Sequence, residues 1–277
     1  MDALLNQVFF PVSFHELFSA WNRFPQAVPY AGGTDIIRKH ERNIINLPKV
    51  ILCLDKLDEL NRITRTEHYL EIGAMVKLNR LARLGKIAPE ILRTCVENLA
   101  GVQLRNTATI GGNICSKSNL YDLSAPLTAL DAQYELRDAH NVRWVSASRF
   151  HSTEEHNVLK EQELLTRIRL PLSQWDYSIY KKFTGNVLSY NDILIFLVKA
   201  QKNILSDIRV VYKTNTILRN KNSEDILNGK ILPLNRKTAS DFIENWEIFL
   251  EDRYDISKFS KNALLNNIEE NIAVLSE

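Results

Sequence analysis

A chain of 277 residues, 45% apolar and 25% charged, is long enough for two or three small domains with sizeable cores. Its net charge of +2 calls for no nucleic-acid or anionic-membrane partner, and its longest apolar run, Ile193 to Val198, is far too short to cross a bilayer. The opening Met1-Asp2-Ala3-Leu4-Leu5 lacks the basic residues of a secretory leader, and three scattered cysteines, Cys53, Cys95 and Cys115, exclude a C-x-x-C site or a four-thiolate iron–sulfur cluster within the chain.

These features together set the expectation of a reducing, cytoplasmic location, with Cys53 and Cys95 as core residues and packing as the favoured role of Cys115. In chain order, Ser13-Phe14-His15-Glu16 is a capping box with Val12 and Leu17 as its staple, which predicts a helix from Phe14 to about Arg23, stopped by Pro25. Ala27 to Tyr30 and Val50 to Leu54 read as buried strands with no tight hairpin between them, hence a small parallel α/β unit, and Ile36 to His40 as a helical turn. Arg62 to Thr66 and Tyr69 to Ala74 form a hairpin, Leu78 to Leu84 a helix stopped by Gly85, and Pro89 opens a helix burying Ile91, Leu92, Cys95, Val96 and Leu99. Leu123 to Asp131 is predicted helical with Asp122 as its cap, followed by a hairpin of 133–137 and 142–145 and a strand from Leu164 to Leu170. Tyr177 to Phe183 and Ile208 to Tyr212 read as strands, Ile193 to Val198 as strand or helix, and Asn235 to Leu250 and Ser257 to Leu275 as helices. The basic stretch Lys199 to Lys237 reads as a solvated face.

Two stretches stand out. Arg105-Asn106-Thr107-Ala108-Thr109-Ile110-Gly111-Gly112-Asn113-Ile114 and Tyr30-Ala31-Gly32-Gly33-Thr34-Asp35 hold four of the nine glycines as two adjacent pairs. Glycine lets backbone N–H groups approach a ligand that a Cβ would keep away, and consecutive inward N–H groups make a nest for an anion. Either pair alone is also what an ordinary turn carries. Two of them suit a ligand with two phosphates, with Thr109 and Asn113 adding side-chain donors at the rim. Neither has the G-x-G-x-x-G spacing or a Walker ending, so a dinucleotide here would not sit on a Rossmann fold.

Other constellations fail. His151 and His156 flank Glu154-Glu155 without metal-ligand spacing and read as an exposed loop, and there is no G-x-S-x-G elbow for a hydrolase. A missing acid/base set is consistent with a cofactor that brings its own redox chemistry.

The two glycine stretches, together with Asp122 and Leu127-Thr128-Ala129-Leu130-Asp131-Ala132, resemble the FAD-pyrophosphate motifs of the molybdopterin dehydrogenase FAD-binding subunits, the family of the xanthine dehydrogenase flavin subunit and the carbon monoxide dehydrogenase medium subunit. The resemblance spans most of residues 1–185. It implies an α+β chain with a vanillyl-alcohol-oxidase-type (PCMH-type) FAD-binding fold: α/β subdomains at 1–56 and 57–173, then a C-terminal α+β domain at 174–277. It implies that Val28, Pro29, Tyr30, Ala31, Gly32, Gly33, Thr34 and Asp35 line the pyrophosphate and ADP part of FAD. Thr109, Ile110, Gly111, Gly112 and Asn113 would hold the pyrophosphate from the other side. Asp122 would accept from ribityl or ribose hydroxyls, Leu165 would pack near the adenine or ring system, and Lys182 would approach the flavin and favour its anionic reduced form. Plainer roles stand beside these: Asp122 as a helix cap, Leu165 as core, Thr34 and Asp35 as turn caps, and Lys181 in place of Lys182.

The implied function is the FAD subunit of a molybdenum hydroxylase, with a molybdopterin-binding large subunit, a 2Fe-2S small subunit and NAD or another electron acceptor as partners. A free-standing FAD reductase of the same fold group and a flavin-free assembly subunit are the alternatives. Departures from the family pattern are the bulky Lys117 and Tyr121, Asn186 where many relatives carry arginine, and Lys213-Thr214-Asn215-Thr216 in place of a glycine-rich stretch.

Overall fold

The computed structural model describes residues 7–38, 47–116, 121–151, 158–184, 191–253 and 255–277. The chain divides into two compact units, one of residues 1–123 and 130–172, the other of 124–129 and 173–277.

The first unit begins with strand β1 (Gln7–Phe9), helix α1 (Phe14–Arg23), β2 (Val28–Tyr30), α2 (Thr34–Arg38) and β3 (Val50–Cys53). These strands form the expected parallel sheet in the order β1-β3-β2, with Tyr30 opposite Cys53. The Ser13 hydroxyl caps α1 by accepting from the Glu16 N–H, and the helix buries Leu17, Phe18 and Trp21 against Val50 and Leu52. Strands β4 (Ile63–Arg65) and β5 (Tyr69–Gly73) make the predicted hairpin. Next come α3 (Leu78–Ala82), α4 (Glu90–Glu97), α5 (Val102–Thr107) and α6 (Ile110–Ile114). The stretch from Arg105 to Ile114, read from sequence as a glycine nest, is therefore mostly helical.

Helix α7 (Ser124–Ala129), which belongs to the second unit, begins two residues after Asp122. Asp122 thus lies one position before the cap predicted for it. Strands β6 (Gln133–Arg137) and β7 (Val142–Ser146), helix α8 (Ala147–His151) and strand β8 (Leu164–Pro171) complete the first unit, whose five-stranded antiparallel sheet has the order β4-β5-β8-β6-β7.

In the second unit β9 (Tyr177–Thr184), β10 (Asn191–Gln201), β11 (Ile204–Lys213) and β12 (Ile217–Arg219) form an antiparallel sheet ordered β12-β11-β10-β9. The ambiguous run Ile193 to Val198 is a strand buried on both faces, which explains its lack of alternation. Leu194 and Phe196 pack with Phe242, Trp246, Leu264 and Ile268 from two long helices that follow the short α9 (Lys221–Leu227). Those helices, α10 (Arg236–Glu251) and α11 (Lys258–Val274), are capped by Asn235 and Ser257. The basic stretch is not simply a solvated face. Lys213 is 4% exposed, and Arg219 pairs with the buried Glu224 at 2.9 Å. Alternation in a strand turns half of its charges inward, where each needs a partner.

Candidate flavin site built from two glycine segments

The first segment leaves β2 at Tyr30 and turns into α2. Gly33 has φ of +68°, the left-handed region that glycine enters without a Cβ penalty. Gly32 meets another part of the chain: a Cβ there would stand 2.2 Å from the Thr107 carbonyl oxygen and 3.1 Å from Ala108 Cα. The backbone of the first segment therefore lies directly against the residues that lead into the second. Among the described residues, the N–H groups of Gly32, Gly33 and Thr34 are paired with no protein acceptor.

The second segment is held differently. It is laced to residues 74–78: Ile110 N–H donates to Val76 O at 3.0 Å, Leu78 N–H to Ala108 O at 3.0 Å, and Gly111 N–H to Ala74 O at 2.8 Å. A Cβ on Gly111 would lie 2.7 Å from Ala74 Cβ, so this glycine serves close packing. Thr109 is 1% exposed and caps α6, its Oγ1 accepting from Gly112 N–H at 3.1 Å, while Asn113 N–H donates to Thr109 O. All four amides from Ile110 to Asn113 thus have protein acceptors. The open amides of a nest are therefore not found here, and the Thr109 hydroxyl accepts from Gly112 N–H as a cap, which leaves its own O–H free to donate. What this segment offers a ligand is the exposed Gly112 backbone and the Asn113 side chain, whose buried Oδ1 has no partner among the described residues.

Residues that sequence reasoning missed join the two segments. Lys77 Nζ donates to Thr107 O at 3.2 Å, the same oxygen that Gly32 approaches. Asp35 accepts from the Tyr121 hydroxyl on one oxygen and from the Ser116 hydroxyl on the other, the latter at 3.3 Å. Arg38 Nε donates to the Tyr121 phenol oxygen at 3.1 Å, and its Nη2 lies 3.3 Å from Asp35. Burial first, then the bond to Asp35, push the Tyr121 phenol above its usual pKa, and the Tyr121 bond raises that of Arg38. The only sequence signal for this network is Arg38 three residues after Asp35 on a helix.

The remaining predicted residues lie on several elements. Val28 and Pro29 lie on β2. Asp122 is 8% exposed, and its backbone carbonyl is 3.7 Å from Cys95 Sγ. Leu165 is buried on β8 opposite Leu136, and Lys182 lies on β9 opposite Ile193. Lys117 and Asn186 fall outside the described residues, as do Glu154, Glu155 and His156. His151 is not in an exposed loop. It ends α8 with its ring turned inward, 6% exposed, its Nε2 3.0 Å from the Tyr134 hydroxyl, and burial pulls its pKa down to about 3. Among the described residues no cluster of His, Cys, Asp or Glu could hold a metal ion, and no helix is long and apolar enough to cross a membrane.

The donor set suits a diphosphate-bearing ligand. Three consecutive unpaired amides beside a glycine backbone are donors for anionic oxygens, and the orphaned Asn113 oxygen would be satisfied by a ligand hydroxyl.

Comparison with known proteins agrees with the geometry. Residues 5–173 match the family described as the FAD binding domain in molybdopterin dehydrogenase. The chain is 28% identical over 242 residues to xanthine dehydrogenase 2 of Arabidopsis thaliana, covering 79% of this chain and 18% of that one. It is 27% identical over 187 residues to the glyceraldehyde dehydrogenase medium chain of Sulfolobus acidocaldarius, covering 66% of each. It is also 32% identical over 151 residues to the xanthine dehydrogenase FAD-binding subunit of Escherichia coli O157:H7, covering 53% of this chain and 51% of that one. The chain thus spans less than two thirds of the length of each of these relatives.

The fold is shared, at 20% identity and a TM-score of 0.80, with quinoline 2-oxidoreductase from Pseudomonas putida 86, over 98% of this chain and 96% of that one. It is shared equally with carbon monoxide dehydrogenase from Hydrogenophaga pseudoflava, at a TM-score of 0.81 and 20% identity, over 96% of this chain and 95% of that one. These likenesses bear out the expected fold class. The chain belongs to the family of FAD-binding domains of molybdopterin dehydrogenases, whose cofactor is FAD.

Proposed function

We propose that this chain is the FAD-binding subunit of a molybdenum hydroxylase, an oxidoreductase assembled with a molybdopterin-binding large subunit and a 2Fe-2S small subunit. The redox chemistry would be supplied by FAD, set between the clusters of the small subunit and NAD or another acceptor. The observation that carries the reading is the contact of Gly32 with Thr107–Ala108, which brings the segment with three unpaired amides against the residues leading into the second glycine pair.

In this reading the N–H groups of Gly32, Gly33 and Thr34 hold the diphosphate. Val28, Pro29, Tyr30, Ala31 and Asp35 shape its ADP side. Gly112 and Asn113 close over it, and Thr109, Ile110 and Gly111 build the turn behind them. The roles of Asp122, Leu165 and Lys182 toward the ribityl chain and rings rest on the motif match alone.

The test is the visible spectrum of freshly purified protein, with extraction of its cofactor. FAD bound in a one-to-one ratio, or taken up by the folded apo-protein on addition, is the expected result. A folded chain that neither carries nor accepts FAD would defeat the proposal and leave a flavin-free assembly subunit as the better reading. Co-purification with a molybdenum-containing chain and a cluster-containing chain tests the partners separately; a flavoprotein that reduces a small substrate alone would overturn that part.

A further inference from the structure

We propose that Tyr121 is a positioning residue for the diphosphate cradle, its phenol linking Arg38 to Asp35 and so tying the first glycine segment to the chain beyond the second. The inference rests on the FAD reading above. Asp35 directly follows Thr34, whose N–H is one of the three unpaired amides. An ionised carboxylate so near a diphosphate repels it, and the repulsion is poorly screened where solvent is partly excluded.

The structure shows how that charge is handled. Tyr121 and Ser116 each donate a hydroxyl to a different Asp35 oxygen, and Arg38 binds both the phenol and the carboxylate. Two consequences follow. The carboxylate is partly neutralised and fixed on residues that follow Gly112. The start of α2, which carries the Thr34 amide, is tied across a gap of 86 residues in sequence. The direct contact between Arg38 and Asp35 is a 3.3 Å pair three residues apart, with the arginine side chain 53% exposed. Such a pair is weak and adds no link between the segments.

The experiment is a titration of FAD into the flavin-stripped full chain, followed by flavin fluorescence, for the unmodified protein, Tyr121→Phe, Asp35→Asn and the double variant. Tyr121→Phe is expected to weaken FAD binding about tenfold, the worth of a hydrogen bond to a charged group, while the unfolding midpoint of the apo-protein hardly moves. In the Asp35→Asn background the same substitution is expected to cost less than about threefold, because the charge it served is gone.

Equal affinity of Tyr121→Phe and the unmodified chain would overturn the inference and leave the FAD reading intact. An undiminished loss in the Asp35→Asn background would also overturn it, since Tyr121 would then touch the ligand directly. Should Tyr121→Phe not fold, Arg38→Gln at its exposed position carries the test. About threefold weaker binding at low salt, fading at high salt, supports the inference, and no change sinks it. A folded unmodified chain that takes up no FAD would remove the functional reading, and this inference with it.

Discussion

At Gly32–Gly33 the backbone leaves its amides open, whereas from Ile110 to Asn113 every amide is closed by a protein acceptor. The two segments share a sequence pattern, Gly-Gly followed by a small polar residue, yet glycine does different work in each. At Gly33 it permits a left-handed turn beside donors that have no protein acceptor among the described residues. At Gly111 it permits α6 to press on Ala74, with the donors used up in doing so. A glycine pair is therefore evidence of close backbone approach, and only the hydrogen-bond partners tell whether a ligand or the protein itself is being approached.

The sharpest way to break this contrast is a pair of substitutions. Gly111→Val places its first carbon 2.7 Å from Ala74 Cβ and 2.8 Å from its carbonyl oxygen, on backbone that also accepts the Gly111 N–H. Overpacking of this kind costs about 3 kcal/mol. It should appear in denaturant unfolding of the apo-protein. Gly32→Ala meets Thr107 O at 2.2 Å but lies on a turn that can draw back. Drawing back parts the two segments, so FAD affinity should fall about thirtyfold, or ~2 kcal/mol, with a smaller loss of stability. If Gly111→Val spares stability and Gly32→Ala spares FAD, the roles assigned here are reversed.

Acid probes the support of the second segment separately. Helix α6 packs near β8, which pairs with β6, and β6 carries Tyr134, the partner of His151. Burial lowers the His151 pKa from its usual 6.5 to about 3. The folded pKa lies below the unfolded one, so the unfolded chain binds the extra proton first. The stability is complete above about pH 6.5 and is lost as pH falls toward 3. Between pH 7 and pH 4 the loss from this one group is about 3 kcal/mol.

Glu71 also loses stability in acid. Burial raises its pKa, but the bonds from Arg169 and Arg167 outweigh that and leave it lowered. Its loss, however, is common to the parent and to His151→Gln. The variant should therefore show a shallower dependence of unfolding free energy on pH between 7 and 4. Parallel curves would show that His151 is not held neutral by burial.

Much of this was legible in the chain itself. The caps at Ser13, Asn235 and Ser257, and the apolar faces they precede, follow from local rules, and the observed helices obey them. The glycine pairs also marked the segments proposed to hold the diphosphate. What stayed hidden depends on contacts between distant residues. Nothing near Gly111 announces Ala74, and nothing near Tyr121 announces Asp35. A helix of five residues through Gly111-Gly112 runs against propensity and is carried by its Thr109 cap and its packing. His151 looked exposed because its neighbours in sequence are charged, while its ring turns the other way into Tyr134 and Phe150.

The smallest expected effect refines the comparison most closely. Thr109→Ala removes the acceptor for the Gly112 N–H, and loss of such a cap costs about 1 kcal/mol. Gly112 is exposed, so water can replace the lost acceptor and hold the cost near that figure. Substitution by serine, which keeps the oxygen, should restore most of the stability. If the hydroxyl serves only as a cap, FAD affinity in Thr109→Ala should change by less than about threefold, well below the effect of Gly32→Ala. If the Thr109 hydroxyl also donates its O–H to the diphosphate, affinity and stability will fall together, and the loss in affinity will match that of a charge-assisted hydrogen bond, about tenfold or more. Measuring both on the same protein decides whether the second segment touches the ligand through its cap or only through the backbone beyond it.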